Sequence, residues 1–203
     1  MSDEKRAIRQ LLRQQRQRLS EEQTGQAGAA VSALLRTFAP FADAVSVVGY
    51  LATDNEVPTA RLLTAAAAVG HVIYLPRHSH TVELVEWRPG DRLRPGRGGV
   101  LEPVGAAVRR VESPAIALVP LVAWNHCGLR LGRGGGFYDR LFSRITEGVT
   151  RVGLGYEFQE YERLPRDPWD VPLHYVITER RIVDCSWEQP WRPLLLQKGG
   201  LQP

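Results

Sequence analysis

Short β-branched runs alternate with helix-forming stretches along most of this chain, and that alternation constrains the fold more than any other feature. Val45-Ser46-Val47-Val48-Gly49-Tyr50 is brief, apolar and β-branched, as a buried strand should be. Pro58 to Val69 is alanine-rich and helical, and Val72 to Leu75 returns to strand. That is a β-α-β unit. Val82 to Trp87 alternates as another strand, Ala115 to Val119 is continuously apolar, and Arg151 to Gly155 and Tyr175 to Thr178 read as further buried strands. Strands interleaved with helices predict an α/β three-layer sandwich, a mainly parallel sheet flanked by helices, with ligands at the carboxyl ends of the strands.

Ahead of this unit, Ile8, Leu11, Leu12 and Leu19 fall at helical spacing, while Lys5, Arg6, Arg9, Arg13 and Arg16 supply a cationic face. The spacing predicts an N-terminal basic amphipathic helix. Ser20 with Gln23 three residues on forms a capping box that opens a second helix, running to about Thr37 before Pro40. Arg88 to Gly99, rich in Pro, Gly and Arg, reads as a loop, and 186–203 as an irregular C-terminal tail. A chain of 203 residues with 43% apolar content is large enough for one good core and small for two, so 1–203 is read as one domain.

The formal net charge is +4, carried almost wholly by arginine, which suits either an anionic partner or plain solubility. Cys127 and Cys185 stand far apart and make no metal or disulfide framework, so a reducing cytoplasm is expected. The charged start, MSDEKRAIRQ, predicts no secretory leader, and no apolar run approaches the ~20 residues of a membrane span.

Chemistry concentrates in one segment, whose stretch from Trp124 to Gly136 reads as a glycine-rich loop. After Val119-Pro120-Leu121-Val122-Ala123-Trp124 comes Gly128-Leu129-Arg130-Leu131-Gly132-Arg133-Gly134-Gly135-Gly136-Phe137-Tyr138-Asp139-Arg140. Glycines let backbone N–H groups converge, and a helix start at Phe137 adds partial positive charge, which together make an anion cradle. Arg130 and Arg133 can each grip phosphate oxygens, and Asp139 beside them suits Mg²⁺. The alternative is a flexible glycine-rich surface turn with Asp139 capping a helix. No Gly-Lys-Ser/Thr follows, so this is not a Walker A loop.

R-L-G-R-G-G-G-F-Y-D-R behind V-P-L-V-A-W resembles the signature of the 5-formyltetrahydrofolate cyclo-ligase family. Further landmarks run in the same order: Lys5 with Arg9, Tyr50 through Glu56 with Thr59, Leu101-Glu102-Pro103, Gly155-Tyr156 with Gln159, and Trp169-Asp170 through Thr178. Trp124, Asn125 and Gly135 depart from residues common in the family. The resemblance implies ATP-dependent closure of 5-formyltetrahydrofolate, free or polyglutamylated, to 5,10-methenyltetrahydrofolate by a cytoplasmic monomer using Mg²⁺. It implies ATP contacts at Lys5, Arg9 and the run Arg130, Leu131, Gly132, Arg133, Gly134, Gly135, Gly136, Phe137 and Tyr138. Folate contacts fall at Leu51, Glu56, Trp124, Arg133 and Phe137, metal ligands at Asp139 and Asp170, and catalytic roles at Arg130, Arg133 and Tyr138. No nucleic acid or membrane partner is expected. Two other classes would want a similar site: a non-catalytic relative that binds RNA or another polyanion, and a sugar-phosphate isomerase that needs no ATP.

Overall fold

The computed structural model describes residues 3–78, 81–96, 99–145 and 148–185, so the predicted tail at 186–203 lies outside the described residues. Strands β1 (Ser46–Val48), β2 (Val72–His78), β3 (Val82–Glu86), β6 (Ala107–Val108), β7 (Ala115–Pro120), β10 (Val149–Leu154), β11 (Tyr175–Ile177) and β12 (Ile182–Asp184) form one sheet. Its order is β12-β11-β10-β7-β1-β2-β3-β6. From β11 to β2 every pairing is parallel, and the strands added at either edge are antiparallel. The expected α/β architecture with a mainly parallel sheet is therefore the one observed.

Both faces of the sheet are covered, which is why its central strands lack a polar side. Along β7, Ile116 and Leu118 enter one core with Val31 and Leu35 of helix α2 (Glu21–Thr37), Phe41 of helix α3 (Ala39–Ala42) and Leu63 of helix α4 (Ala60–Ala68). Ala115, Ala117 and Val119, one residue out of phase, enter the opposite core with Leu141 and Phe142 of helix α5 (Phe137–Phe142). The capping box at Ser20 is present: its side chain accepts from Gln23 N, and the Gln23 side chain accepts from Ser20 N. The predicted β-α-β unit is β1-α4-β2, although α4 begins at Ala60 rather than at Pro58.

Two loop assignments are corrected. Within 88–99 lies strand β4 (Leu93–Pro95), paired antiparallel with β5 (Leu101–Pro103). Within 124–136 lies a hairpin of β8 (Ala123–Trp124) and β9 (Arg130–Leu131). Strands this short show no alternation. The hairpin is built instead by its turn, where Asn125 Oδ1 accepts from Cys127 N and Leu129 N at 3.1 and 3.0 Å. Gly128 holds φ +77°, and a Cβ there would stand 2.4 Å from Leu173 O.

Helix α1 (Asp3–Gln17) is also rotated relative to the simple reading. Its buried stripe is Lys5, Ile8, Leu12 and Arg16, while Leu11 is 51% exposed. Ile8 and Leu12 dock on Val122, Ala123, Leu129 and Leu131 of the hairpin region. The basic helix is thus a fixed wall of the molecule.

Candidate active site

A cleft of about 480 Å³ opens where β1, β2 and β7 end, between α1, the hairpin and the glycine loop. It collects residues from distant parts of the chain: Lys5 and Arg9, Leu51 and Glu56, Arg130 through Asp139, and Asp170. Among the residues singled out from sequence, Trp124 is the exception. It is 0% exposed, and its Nε1 donates to Tyr156 O at 3.2 Å. The ring belongs to the core and is corrected from a folate contact to a support beneath the hairpin.

One cluster in the cleft is built on α1. Lys5 Nζ lies 2.8 Å from Asp167 Oδ2 and 2.7 Å from Asp170 Oδ2, and Asp167 N donates to the same Asp170 oxygen. Burial, the largest single influence, would lower the Lys5 ammonium, but its hydrogen bonds and charge contacts with Asp167 and Asp170 outweigh it and raise it above its ordinary value. The raised value means that Lys5 stabilises the fold fully below the ordinary lysine range and loses that contribution only as pH climbs through the folded value. Arg9 donates through Nε to Gly132 O at 2.8 Å, tying α1 to the glycine loop.

The two loop arginines have different surroundings. Arg130, with a side chain only 5% exposed, donates to Asp139 Oδ1 at 2.8 Å and to Val171 O. Arg133 is 35% exposed and turns to Glu56, with Nε 3.2 Å from Oε1 and Nη2 on Thr53 O and Thr53 Oγ1. Arg130 thus lines the cleft while engaged with Asp139, and Arg133 keeps more surface toward the cleft. Glu56 is 7% exposed and accepts from Thr53 N at 3.1 Å. Burial raises its carboxyl above the ordinary value, against the charge of Arg133 and the Thr53 N–H.

Gly136, at φ +60°, precedes α5 and turns Phe137 and Tyr138 toward the cleft. The Phe137 ring meets His78 at 4.2 Å and Tyr138 at 5.2 Å. Removal from water, then the charge of Glu56, pushes the Tyr138 phenol well above its usual range, so it is a neutral donor.

Sequence reasoning gave no role to several residues that line the cleft: Thr53, Asp167, Trp169, His78 and Glu102. Glu102 is 3% exposed and accepts from His78 N at 3.0 Å. The Asp167-to-Asp170 spacing around Pro168 was the readable signal for the Lys5 partner; nothing local marked Thr53.

A model of the 5-formyltetrahydrofolate cyclo-ligase family matches residues 1–179. The chain belongs to this family. The 5-formyltetrahydrofolate cyclo-ligase of Escherichia coli is 31% identical over 186 residues, covering 88% of this chain and 100% of the relative. That of Haemophilus influenzae is 31% identical over 185 residues, covering 87% and 99%. The NMR structure of Aquifex aeolicus 5,10-methenyltetrahydrofolate synthetase is similar at a TM-score of 0.78 and 32% identity, covering 89% of this chain and 92% of that one.

A cyclo-ligase uses ATP, and a hard cation beside the phosphates needs oxygen ligands. Among the described residues no group of three or more His, Cys, Asp or Glu is arranged to hold a metal. Mg²⁺ asks for less, since one or two carboxylates with phosphate and water suffice. The hydrogen bonds to Asp139 come to Oδ1, from Arg130 and Val171 N, and those to Asp170 come to Oδ2. The opposite oxygen of each is a hard donor, and both residues line the same cleft, which is the donor chemistry such a cation takes.

Proposed function

We propose that this chain uses ATP to close 5-formyltetrahydrofolate to 5,10-methenyltetrahydrofolate, releasing ADP and phosphate. What carries the reading is that residues scattered from Lys5 to Asp170, all in the family order, line one cleft. The formyl oxygen is a poor leaving group and its carbon a weak electrophile. Attack of that oxygen on the γ-phosphorus displaces ADP and gives an iminium phosphate; the folate N10 amine then adds to the activated carbon, loses its proton, and phosphate departs.

The protein supplies no nucleophile in this scheme. It aligns two substrates and stabilises charge on the transferring group. Lys5 and Arg9 approach the nucleotide from α1, and Arg133 bridges toward the folate side. Glu56 offers acceptor oxygens to the N–H donors of the pterin, and Phe137 offers a ring face. Asp139 and Asp170 would hold Mg²⁺, which neutralises phosphate charge when bound. Arg130 orients Asp139. No helix among the described residues is long and apolar enough to cross a membrane, and the chain is proposed to act as a cytoplasmic monomer.

The deciding experiment is ATP hydrolysis with and without 5-formyltetrahydrofolate. Folate-dependent ADP release with a new methenyl absorbance is expected; ATP-independent activity would point to an isomerase, and salt-sensitive polyanion binding without turnover to a binding protein. A metal titration gives a second check. Asp139→Asn and Asp170→Asn should each raise the Mg²⁺ needed for half-maximal turnover by at least about tenfold, since neutral amides are weaker ligands for hard cations. Unchanged titrations in both variants would remove the metal assignment.

A further inference from the structure

Helix α1 and the turn that carries Glu56 are joined by a buried charge pair. Arg16 is 0% exposed; its Nη2 donates to Asp54 Oδ2 at 2.7 Å and its Nη1 to Leu121 O at 3.0 Å, while its Nε has no hydrogen-bond partner. Arg13 Nε reaches the same Asp54 oxygen at 3.0 Å, and Gln17 Nε2 reaches Oδ1 at 2.8 Å. Asp54 and Asn55 hold φ +56° and +54°, in the left-handed region that non-glycine residues seldom enter. Asn55 Nδ2 in turn donates to Arg16 O and Leu19 O at the end of α1, and Asn55 O accepts from Tyr156 OH at 2.9 Å.

A buried guanidinium with an unsatisfied N–H is a poor way to glue two elements together, because apolar residues of similar volume often do as well or better. Unfavourable backbone persists where its surroundings over-determine it, and such places cluster at functional sites. Here the left-handed backbone falls on Asp54 and Asn55, the first of which the buried guanidinium grips, and the residues on either side, Thr53 and Glu56, line the cleft and hold Arg133. The other half of the same helix presents Lys5 and Arg9 to that cleft.

We propose that Arg16 and Asp54 are positioning residues that register Thr53 and Glu56 against the helix bearing Lys5 and Arg9, so that the folate and nucleotide halves of the site are set by one buried contact. This rests on the cyclo-ligase reading of the cleft. Neither residue touches substrate. The pair acts through the turn, and its loss should therefore be felt on the folate side, because Lys5 and Arg9 keep their own anchors at Asp167, Asp170 and Gly132.

Asp54→Asn tests this, since asparagine tolerates the left-handed turn and keeps the size while removing the charge. The KM for 5-formyltetrahydrofolate should rise about tenfold and turnover fall about tenfold, the scale of a small misplacement transmitted to reacting groups. Calorimetric binding of a non-hydrolysable ATP analogue should stay within about twofold, as for a distant, independent site. Should Asp54→Asn fail to fold, the double variant Arg13→Gln/Gln17→Ala trims two donors at more exposed positions and should shift the same constants less. A lowered melting temperature with unchanged folate KM and turnover would mean that the pair only holds the helix, and would overturn the proposal. Equal weakening of both substrates would do the same. Wild-type protein that does not turn over 5-formyltetrahydrofolate sinks the functional reading and this inference together, whereas active wild type with unaltered variants sinks the inference alone.

Discussion

Arg133→Ala is expected to lower turnover by about 10²–10³, the range for losing one preorganised electrostatic donor, with smaller changes in the Michaelis constants. The choice of Arg133 over Arg130 follows from where each guanidinium is held. Arg130 is 5% exposed and engaged by Asp139 and Val171 O, whereas Arg133 is 35% exposed, lies between Gly132 and Gly134 and borders the cleft. Its planar fork can follow the phosphoryl oxygens as charge redistributes, which a lysine ammonium cannot, so Arg133→Lys should recover only part of the loss. Steady-state kinetics with both substrates varied provide the check. A raised ATP KM with normal turnover would make Arg133 a contributor to uniform binding; if neither constant moves, its charge is incidental to phosphoryl transfer.

The parts of this protein that were legible in its sequence are those decided locally. The β1-α4-β2 unit shows in the switch from β-branched to alanine-rich composition, and the start of α2 shows in Ser20 and Gln23. The cleft was legible through colinear motifs, because Lys5, Glu56, the glycine loop and Asp170 each carry a short pattern that survives without the fold. Pairings between those motifs were not. Arg130 and Asp139 both read as groups facing a ligand, and nothing in their spacing said that the loop brings them to 2.8 Å of one another. Arg16 read as one more cation on a solvated face, because Leu11 and Leu12 together placed the apolar stripe one position away from its true centre. Trp124 read as a ligand contact because it borders the glycine loop, but its position on β8 sends the ring into the core. In each case the missing information is a contact across many residues, which composition and spacing do not encode.

Glu56→Gln should raise the KM for 5-formyltetrahydrofolate by about 10–100-fold at neutral pH and leave the ATP KM nearly unchanged. The magnitude is that of losing a charged hydrogen bond, about 1.5–3 kcal/mol. A pterin presents N–H donors to the carboxylate, and an amide answers with one acceptor and a competing N–H. The pH dependence separates this role from a structural one. Burial holds the Glu56 carboxyl above its ordinary value, so the folded protein keeps this proton more tightly than the unfolded chain does. Its contribution to stability is therefore greatest in acid and is lost as pH rises through the folded value. Ionised Glu56 is maintained at the expense of the fold, with Arg133 as its counter-charge. On the proposed role it is the ionised form that binds folate, so kcat/KM for folate in the wild type should decline on the acid side at a higher pH than an ordinary carboxylate would give. In Glu56→Gln that limb should vanish, and the melting temperature at neutral pH should hold or rise, because the remaining Arg133 is exposed enough to be solvated. Persistence of the acid limb in the variant, or an unchanged folate KM, would show that Glu56 serves Arg133 and the turn rather than the pterin.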